Sequence, residues 1–279
     1  MTAFRVAGVI PARLSSTRLS RKVLRVIAGR PMVEWVWLAA TGSGLMDFVV
    51  VATDSDEVAS VCQERGIPAM FTSATCPSGS DRVREVARVI DADIYVNIQG
   101  DEPLLTPEFF PPMLALLERP EVDVATLAVR CPPEEIADPN AVKVVTALDG
   151  RALYFSRSTI PFDRDGCRGR EQVRGGSGGR EPVRGGSGGR EPVRDEAEFS
   201  GYRKHLGIYA YRKAALERFA ALPPSPLELV ERLEQLRLLE NGIALYVAEA
   251  PADTIGVDTE EDLLRAEAVL RERDERSGE

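Results

Sequence analysis

The chain has 279 residues, of which 44% are hydrophobic and 28% charged, with a formal net charge of −9. That balance fits a soluble globular protein with a sizeable core. The acidic surplus argues against a nucleic-acid partner bound through phosphate neutralisation, though it leaves room for a local basic pocket. Cys62, Cys76, Cys131 and Cys167 are scattered without a C-x-x-C pair, and His205 is the one histidine, which excludes a disulfide scaffold and a histidine-based metal centre. No apolar run reaches the length of a signal peptide or membrane span, so a cytoplasmic protein without membrane insertion is expected.

Strands and helices alternate through the first half. Phe4–Ile10 reads as a strand, Met32–Ala40 as a helix and Phe48–Thr53 as a buried strand. Ser55 then caps a helix that runs through Arg65 and is closed by Gly66. Arg82–Ile90 is a short helix and Ile94–Ile98 the next strand, with further strands at Asp123–Val129, Ala141–Thr146 and Leu153–Phe155. Such alternation predicts an α/β fold, a mostly parallel sheet with helices on both faces. Arg170–Arg194 repeats REQVRGGSGG and REPVRGGSGG with a period of ten and no apolar stripe. It is read as a disordered insert, too polar and too short in period for a solenoid. His205–Tyr211 resumes as a strand. Ser225-Pro226-Leu227-Glu228 starts a helix expected to run to Asn241-Gly242, with Leu229, Leu233 and Leu236 on one face. Ala244–Ala248 is a strand, and the last helix begins at Thr259 with Asp262 at its third position. The charged tail beyond Leu270 is expected to fray.

Four places could carry chemistry. The strand ending at Ile98 runs into Gln99-Gly100-Asp101-Glu102, which delivers carboxylates to the sheet rim where open α/β folds bind ligands. Asp258, at the start of the last helix, can join Asp101 as a second magnesium ligand, although an acid favoured by the helix dipole explains it equally well. The loop after the first strand lacks the glycines of a dinucleotide fingerprint or a P-loop. It offers Arg13, Arg18, Arg21 and Lys22 with Ser15, Ser16 and Thr17, a set suited to a triphosphate. Ser78-Gly79-Ser80-Asp81-Arg82 opens a helix and is an anion site or a simple cap by Ser80 or Asp81. Arg157 and Arg164 could clamp an acidic substrate. His205 and Glu228 each have an ordinary structural reading, a satisfied strand histidine and a capping box.

VIPARLSSTRL, Lys22, GRPM, VVVATD, SGSDR, NIQGDEP, NAVKVV, ALYFSRSTIPFDR, HLGIYAY, PSPLE, LEQLR and GVDTEEDL occur in that order. Together they resemble the 3-deoxy-manno-octulosonate (Kdo) cytidylyltransferases, over nearly the whole chain except the repeat insert and the extreme C-terminus. The resemblance implies one nucleotidyltransferase domain, Rossmann-like, over 1–279 with the insert 170–194 inside it. A smaller mixed β region would form the sugar side and the dimer contacts of a cytoplasmic homodimer. It implies CTP and Kdo as substrates, Mg²⁺ as cofactor, and activation of Kdo for lipopolysaccharide assembly with release of pyrophosphate. Arg13, Lys22, Asp101 and Asp258 would be catalytic, the two aspartates as metal ligands. Pro11, Ala12, Arg13, Lys22, Ser78, Gly79 and Arg82 would bind the nucleotide. Gln99, Arg157, Arg164, His205, Tyr209, Glu228 and Gln235 would form the sugar pocket. The chain departs from the family where Leu19-Ser20-Arg21-Lys22 replaces the usual LPGK, and where the insert falls between Arg164 and His205. A related acidic sugar such as 8-amino-Kdo or a sialic acid, or a non-catalytic sugar-nucleotide binding protein, are the alternative readings; the missing glycine fingerprint disfavours an NAD-dependent dehydrogenase.

Overall fold

The computed structural model describes residues 4–14, 19–76, 78–164 and 201–277. The repeat segment 170–194, Cys167 and the loop residues Ser15 to Arg18 lie outside the described residues. In chain order the elements are β1 (Val6–Ala12), β2 (Val26–Ile27), β3 (Arg30–Pro31), α1 (Met32–Gly42), β4 (Phe48–Thr53), α2 (Asp56–Glu64), β5 (Ala69–Phe71), α3 (Gly79–Ala87), β6 (Ile94–Asn97), α4 (Phe110–Leu116) and β7 (Val124–Arg130). They continue with β8 (Lys143–Thr146), β9 (Ala152–Ser156), β10 (Arg203–Arg212), α5 (Lys213–Ala221), α6 (Pro226–Glu231), α7 (Gln235–Glu240), β11 (Leu245–Glu249) and α8 (Glu260–Ser277).

The main sheet runs β11-β7-β10-β6-β1-β4-β5. Its pairs are parallel except the two that β10 makes with β6 and β7. The antiparallel hairpin β8–β9 joins it at one end of β10, through the pairing of Lys143 with Lys204. This is the mostly parallel α/β fold expected, with a smaller mixed β region beside it. Apolar residues of α1, α2 and α4 pack on one face, and those of α3, α5 and α7 on the other, so the central strands are apolar along their length. β1 has β4 on one side and β6 on the other. The loops leaving β1 and β6 therefore emerge together at the point where strand order reverses, the crevice in which such sheets bind ligands.

Several elements differ from the sequence reading. β1 extends two residues further, so Pro11 and Ala12 lie in the strand and Arg13 directly follows it. The helix expected from Ser225 to Asn241 is two, because Arg232 turns left-handed at φ 56° and ends α6; Leu233 and Leu236 are buried as expected, but Leu229 is exposed. The cap of α3 is Ser78, paired reciprocally with Asp81, not Ser80. α8 continues to Ser277 rather than fraying at Leu270. Two helices were hidden in the sequence. α4 carries two prolines that read as breakers yet sit in its first turn, where no N–H is needed. α5 follows β10 without an intervening linker.

Candidate active site

Three segments far apart in sequence meet beyond the ends of β1 and β6. Each contributes apolar residues to a small cluster beneath α8: Leu19 and Ile27 on either side of Lys22, Leu104 after Asp101, and Val257 before Asp258, closed by Leu263, Ala266 and Leu270. Burying a Leu or Val side chain contributes about 1.5–3 kcal/mol, so this cluster fixes the three loops against one another. The Val257 N–H donates to the Asp101 carbonyl at 2.9 Å. A Cβ on Gly100 would lie 2.9 Å from the Pro11 carbonyl oxygen, so only glycine lets the acidic turn close on the end of β1. Thr259 and Asp262 form the reciprocal cap expected for α8, and Asp262 also accepts the Asp258 N–H at 3.2 Å.

The result is a charged triad. Lys22 Nζ stands 2.5 Å from Asp101 Oδ2 and 2.6 Å from Asp258 Oδ1. Burial pulls the Lys22 pKa down, but Asp101 and Asp258 together outweigh it and hold the ammonium above its ordinary range. Arg21 sets up the three-residue 3-10 turn Lys22–Leu24 with a left-handed backbone, φ 55°, at the position where the family pattern has glycine. Among the described residues no group of three or more His, Cys, Asp or Glu is arranged to hold a metal alone. Two carboxylates converging on one cation nonetheless fit magnesium, a hard ion that takes one or two carboxylates and draws its remaining oxygens from phosphates and water.

Of the other residues assigned to the nucleotide, all but Arg82 lie at the end of β1 or the start of α3. Pro11 and Gly79 adjoin each other at the start of α3, with Asn97 beside them. Ser78 caps α3, leaving its N-terminus turned toward the end of β1. Arg13 donates to the Cys76 carbonyl at 2.8 Å and so ties the end of β1 to the segment before α3. Arg82 is not brought to the open cleft: it is fully buried, donating to Thr72 Oγ1 at 2.5 Å and Asp54 Oδ2 at 2.8 Å.

The residues assigned to the sugar are more dispersed. Gln99 donates to the Gly207 carbonyl at 3.2 Å, beside the irregularity in β10 between Leu206 and Tyr209. His205 is buried, with Nε2 3.0 Å from Thr126 Oγ1 and its ring edge-on to Phe155. Burial pushes its pKa down to about 3, so it is neutral. Tyr209 is buried next to it, and burial raises its hydroxyl pKa well above the ordinary value. Arg157 donates to the carbonyls of Glu231 and Pro139. Glu228 completes the cap of α6 and pairs with the Arg237 guanidinium. Burial pushes its carboxyl up, but Arg237 and the Ser225 N–H prevail and hold it below the ordinary range. Gln235 is buried at the start of α7, and Arg164 is exposed. A cavity of about 430 Å³ reaches from Asp258 to His205 past Glu102, Lys204 and Gly207.

A family model described as cytidylyltransferase matches residues 7–249. The chain is 59% identical over 273 residues to the 3-deoxy-manno-octulosonate cytidylyltransferase of Acidobacterium capsulatum, covering 98% of this chain and 99% of that one. It is 51% identical to the protein of the same name from Koribacter versatilis, covering 95% and 90%. The chain belongs to the 3-deoxy-manno-octulosonate cytidylyltransferase family. A solved structure of CMP:2-keto-3-deoxy-manno-octonic acid synthetase complexed with CTP superimposes with a TM-score of 0.82 at 36% identity, over 96% of this chain and 99% of that one. The 4-diphosphocytidyl-2C-methyl-D-erythritol synthase of Anaerococcus prevotii, 14% identical with a TM-score of 0.58, shares the fold.

Glu231, which the sequence spacing puts on one helical face with Glu228 and Gln235, and two groups it does not single out, Glu234 and Lys204, also make contacts near the site. Glu234 accepts from Ser80 Oγ at 3.1 Å at the start of α3, and burial raises its pKa. Glu231 accepts from Ser156 Oγ at 2.6 Å and from the Arg157 N–H at 3.0 Å, which joins α6 to the end of β9. Glu234 directly precedes Gln235 in ERLEQLR, and its place at the break between α6 and α7 is what turns it toward α3. Lys204 bridges Glu135 at 2.7 Å and Asp253 at 3.1 Å. It thereby anchors the segment that leads to Asp258, a contact no local motif announces.

Proposed function

We propose that this chain transfers CMP from CTP to Kdo, forming CMP-Kdo and releasing pyrophosphate, and so activates Kdo for lipopolysaccharide assembly. The observation that carries the proposal is the meeting of Lys22, Asp101 and Asp258 at the strand ends. It gathers an ammonium and a pair of hard oxygen donors at the mouth of the strand ends, which supports entry of a triphosphate there. Arg13 and Lys22 bind and neutralise the phosphates. Pro11, Ala12 and Gly79 border the base and ribose, and the N-terminus of α3 favours a negative group beside Ser78. Arg82 supports this wall from behind through Asp54 and Thr72. Gln99, Arg164, His205, Tyr209 and Gln235 form the sugar side, with Glu228 and Arg157 holding α6 and β9 in place around it. The reading includes a cytoplasmic homodimer, for which exposed Phe162, Leu229 and Val230 supply apolar surface.

The anomeric hydroxyl of Kdo attacks the α-phosphorus of CTP in line. A new P–O bond forms as the hydroxyl gives up its proton to solvent, the bond to the bridging α–β oxygen breaks, and pyrophosphate carries away that electron pair. Phosphoryl transfer of this kind needs position and positive charge more than a protein nucleophile. Asp101 and Asp258 would hold magnesium, which when bound supplies charge neutralisation on the phosphate oxygens. The test is pyrophosphate release with the four nucleoside triphosphates crossed against Kdo, 8-amino-Kdo and a sialic acid. Release with CTP and Kdo is expected. Preference for another sugar would reassign the substrate, and CTP binding without release would make the chain a sugar-nucleotide binding protein.

A further inference from the structure

We infer that Lys22 is the resident counter-cation of the divalent-metal site: before nucleotide binds, its ammonium takes the place between Asp101 and Asp258, and it leaves when a triphosphate offers it other oxygens. The inference rests on the assignment of those aspartates as metal ligands. Asp101 Oδ2 and Asp258 Oδ1 lie 2.5 and 2.6 Å from the same nitrogen. Those separations are only about 0.5 Å longer than magnesium–oxygen distances. Ion and ammonium therefore compete for one point, and their like charges exclude joint occupancy. An empty pair of facing carboxylates would repel, so exchange of one cation for the other keeps positive charge between them at every stage, partly offsetting the pair with the ammonium and fully with a divalent ion. The departing group is suited to exchange. Its backbone stays held by the cluster beneath α8, but lysine carries its charge on a flexible four-carbon stem, so the ammonium can swing while the loop stays in place. The nucleotide-free chain should thus bind a divalent cation weakly, and metal and triphosphate should enter together.

The experiment titrates manganese(II) into the full chain without nucleotide and counts the free ion by electron paramagnetic resonance. Lys22→Met is expected to bind one Mn²⁺ more than about tenfold more tightly than the wild-type chain. Lys22→Arg, which retains a cation, should show no such gain, and Lys22→Met combined with Asp101→Asn should lose it. Melting with and without Mn²⁺ covers instability of Lys22→Met. Folding that depends on Mn²⁺ supports the exchange, whereas failure to fold with or without it overturns the exchange. Equal Mn²⁺ affinity in wild type and Lys22→Met, in a chain that makes CMP-Kdo, overturns the counter-cation role and leaves the enzymatic reading standing. Absence of both pyrophosphate release and Mn²⁺ binding overturns both.

Discussion

On the proposed nucleotide side of the cleft, Lys22 pairs with both Asp101 and Asp258 across loops locked by the cluster beneath α8. On the proposed sugar side, Glu228 pairs with Arg237 within one helical corner, Arg157 is bound to main-chain carbonyls, and His205 is neutral among aromatic rings. The first set of charges can be traded for those of a ligand, because phosphates and a metal offer equivalent partners. The second is committed to holding the scaffold, so a sugar would meet its shape and dipoles more than its free charges. Substitutions on the two sides should therefore fail differently, one in turnover and the other in stability.

Asp101→Asn tests the first half of that contrast. Losing one electrostatic stabiliser at a reacting phosphate should lower kcat on the order of 100-fold or more, with the melting temperature little changed. Turnover measured against magnesium concentration checks it: near-normal activity at low magnesium would remove Asp101 from the site. Glu228→Gln tests the second half. It leaves the Arg237 guanidinium buried without its carboxylate, which costs about 3 kcal/mol or more by urea unfolding. The KM for Kdo, measured on the folded fraction, should stay unchanged. A KM raised severalfold without loss of stability would return Glu228 to the sugar pocket.

The same contrast explains what could be read from the sequence. The position of Asp101 was legible because an apolar strand, a glycine and an acid in succession point to a sheet rim, whereas Asp258 read equally well as an acid favoured by the helix dipole. Their contact with Lys22 was not legible, since 236 residues separate Lys22 from Asp258 and the link runs through the packing of Val257, Leu263 and Leu19. Glu228 was legible as a capping box, but its bond to Arg237 depends on the left-handed break at Arg232, which folds α7 back toward α6. Continuous helical spacing would place position 237 on a different face. Arg82 looked available because its motif begins a helix; its burial follows from Asp54 and Thr72, which β4 and the segment after β5 bring behind that helix.

His205 offers a smaller and cleaner measurement, because the chain contains a single histidine. With its pKa pushed by burial down to about 3, its imidazole proton resonance should not move between about pH 8 and pH 5, where an ordinary histidine titrates. A midpoint near 6.5 would mean that the ring is open to water and can carry charge toward the sugar. The sign for stability follows. The unfolded chain takes up a proton as pH falls through the ordinary histidine range while the folded chain refuses it. The contribution of His205 is thus full above that range and declines as pH drops toward about 3. His205→Gln should flatten this part of the pH profile of unfolding free energy.

The smallest effects belong at Arg21, where backbone geometry and charge can be separated. Its φ of 55° is left-handed, a conformation that costs a side-chain-bearing residue about 1 kcal/mol or more. Its ion pair with Glu57 is solvent-exposed and contributes little. Arg21→Gly relieves the strain but enlarges the unfolded ensemble by a comparable amount, so stability should change by less than about 1 kcal/mol. The KM for CTP should hold, because the turn that presents Lys22 is preserved. Arg21→Val makes the opposite demand, since a β-branched residue resists the left-handed region. It should lose about 1 kcal/mol more than the glycine variant and raise the KM for CTP as Lys22 is displaced from Asp101 and Asp258. If both variants raise KM equally, the Arg21 guanidinium itself meets the phosphates. The nucleotide side would then depend on one more exchangeable cation, and less on the strained turn that delivers Lys22.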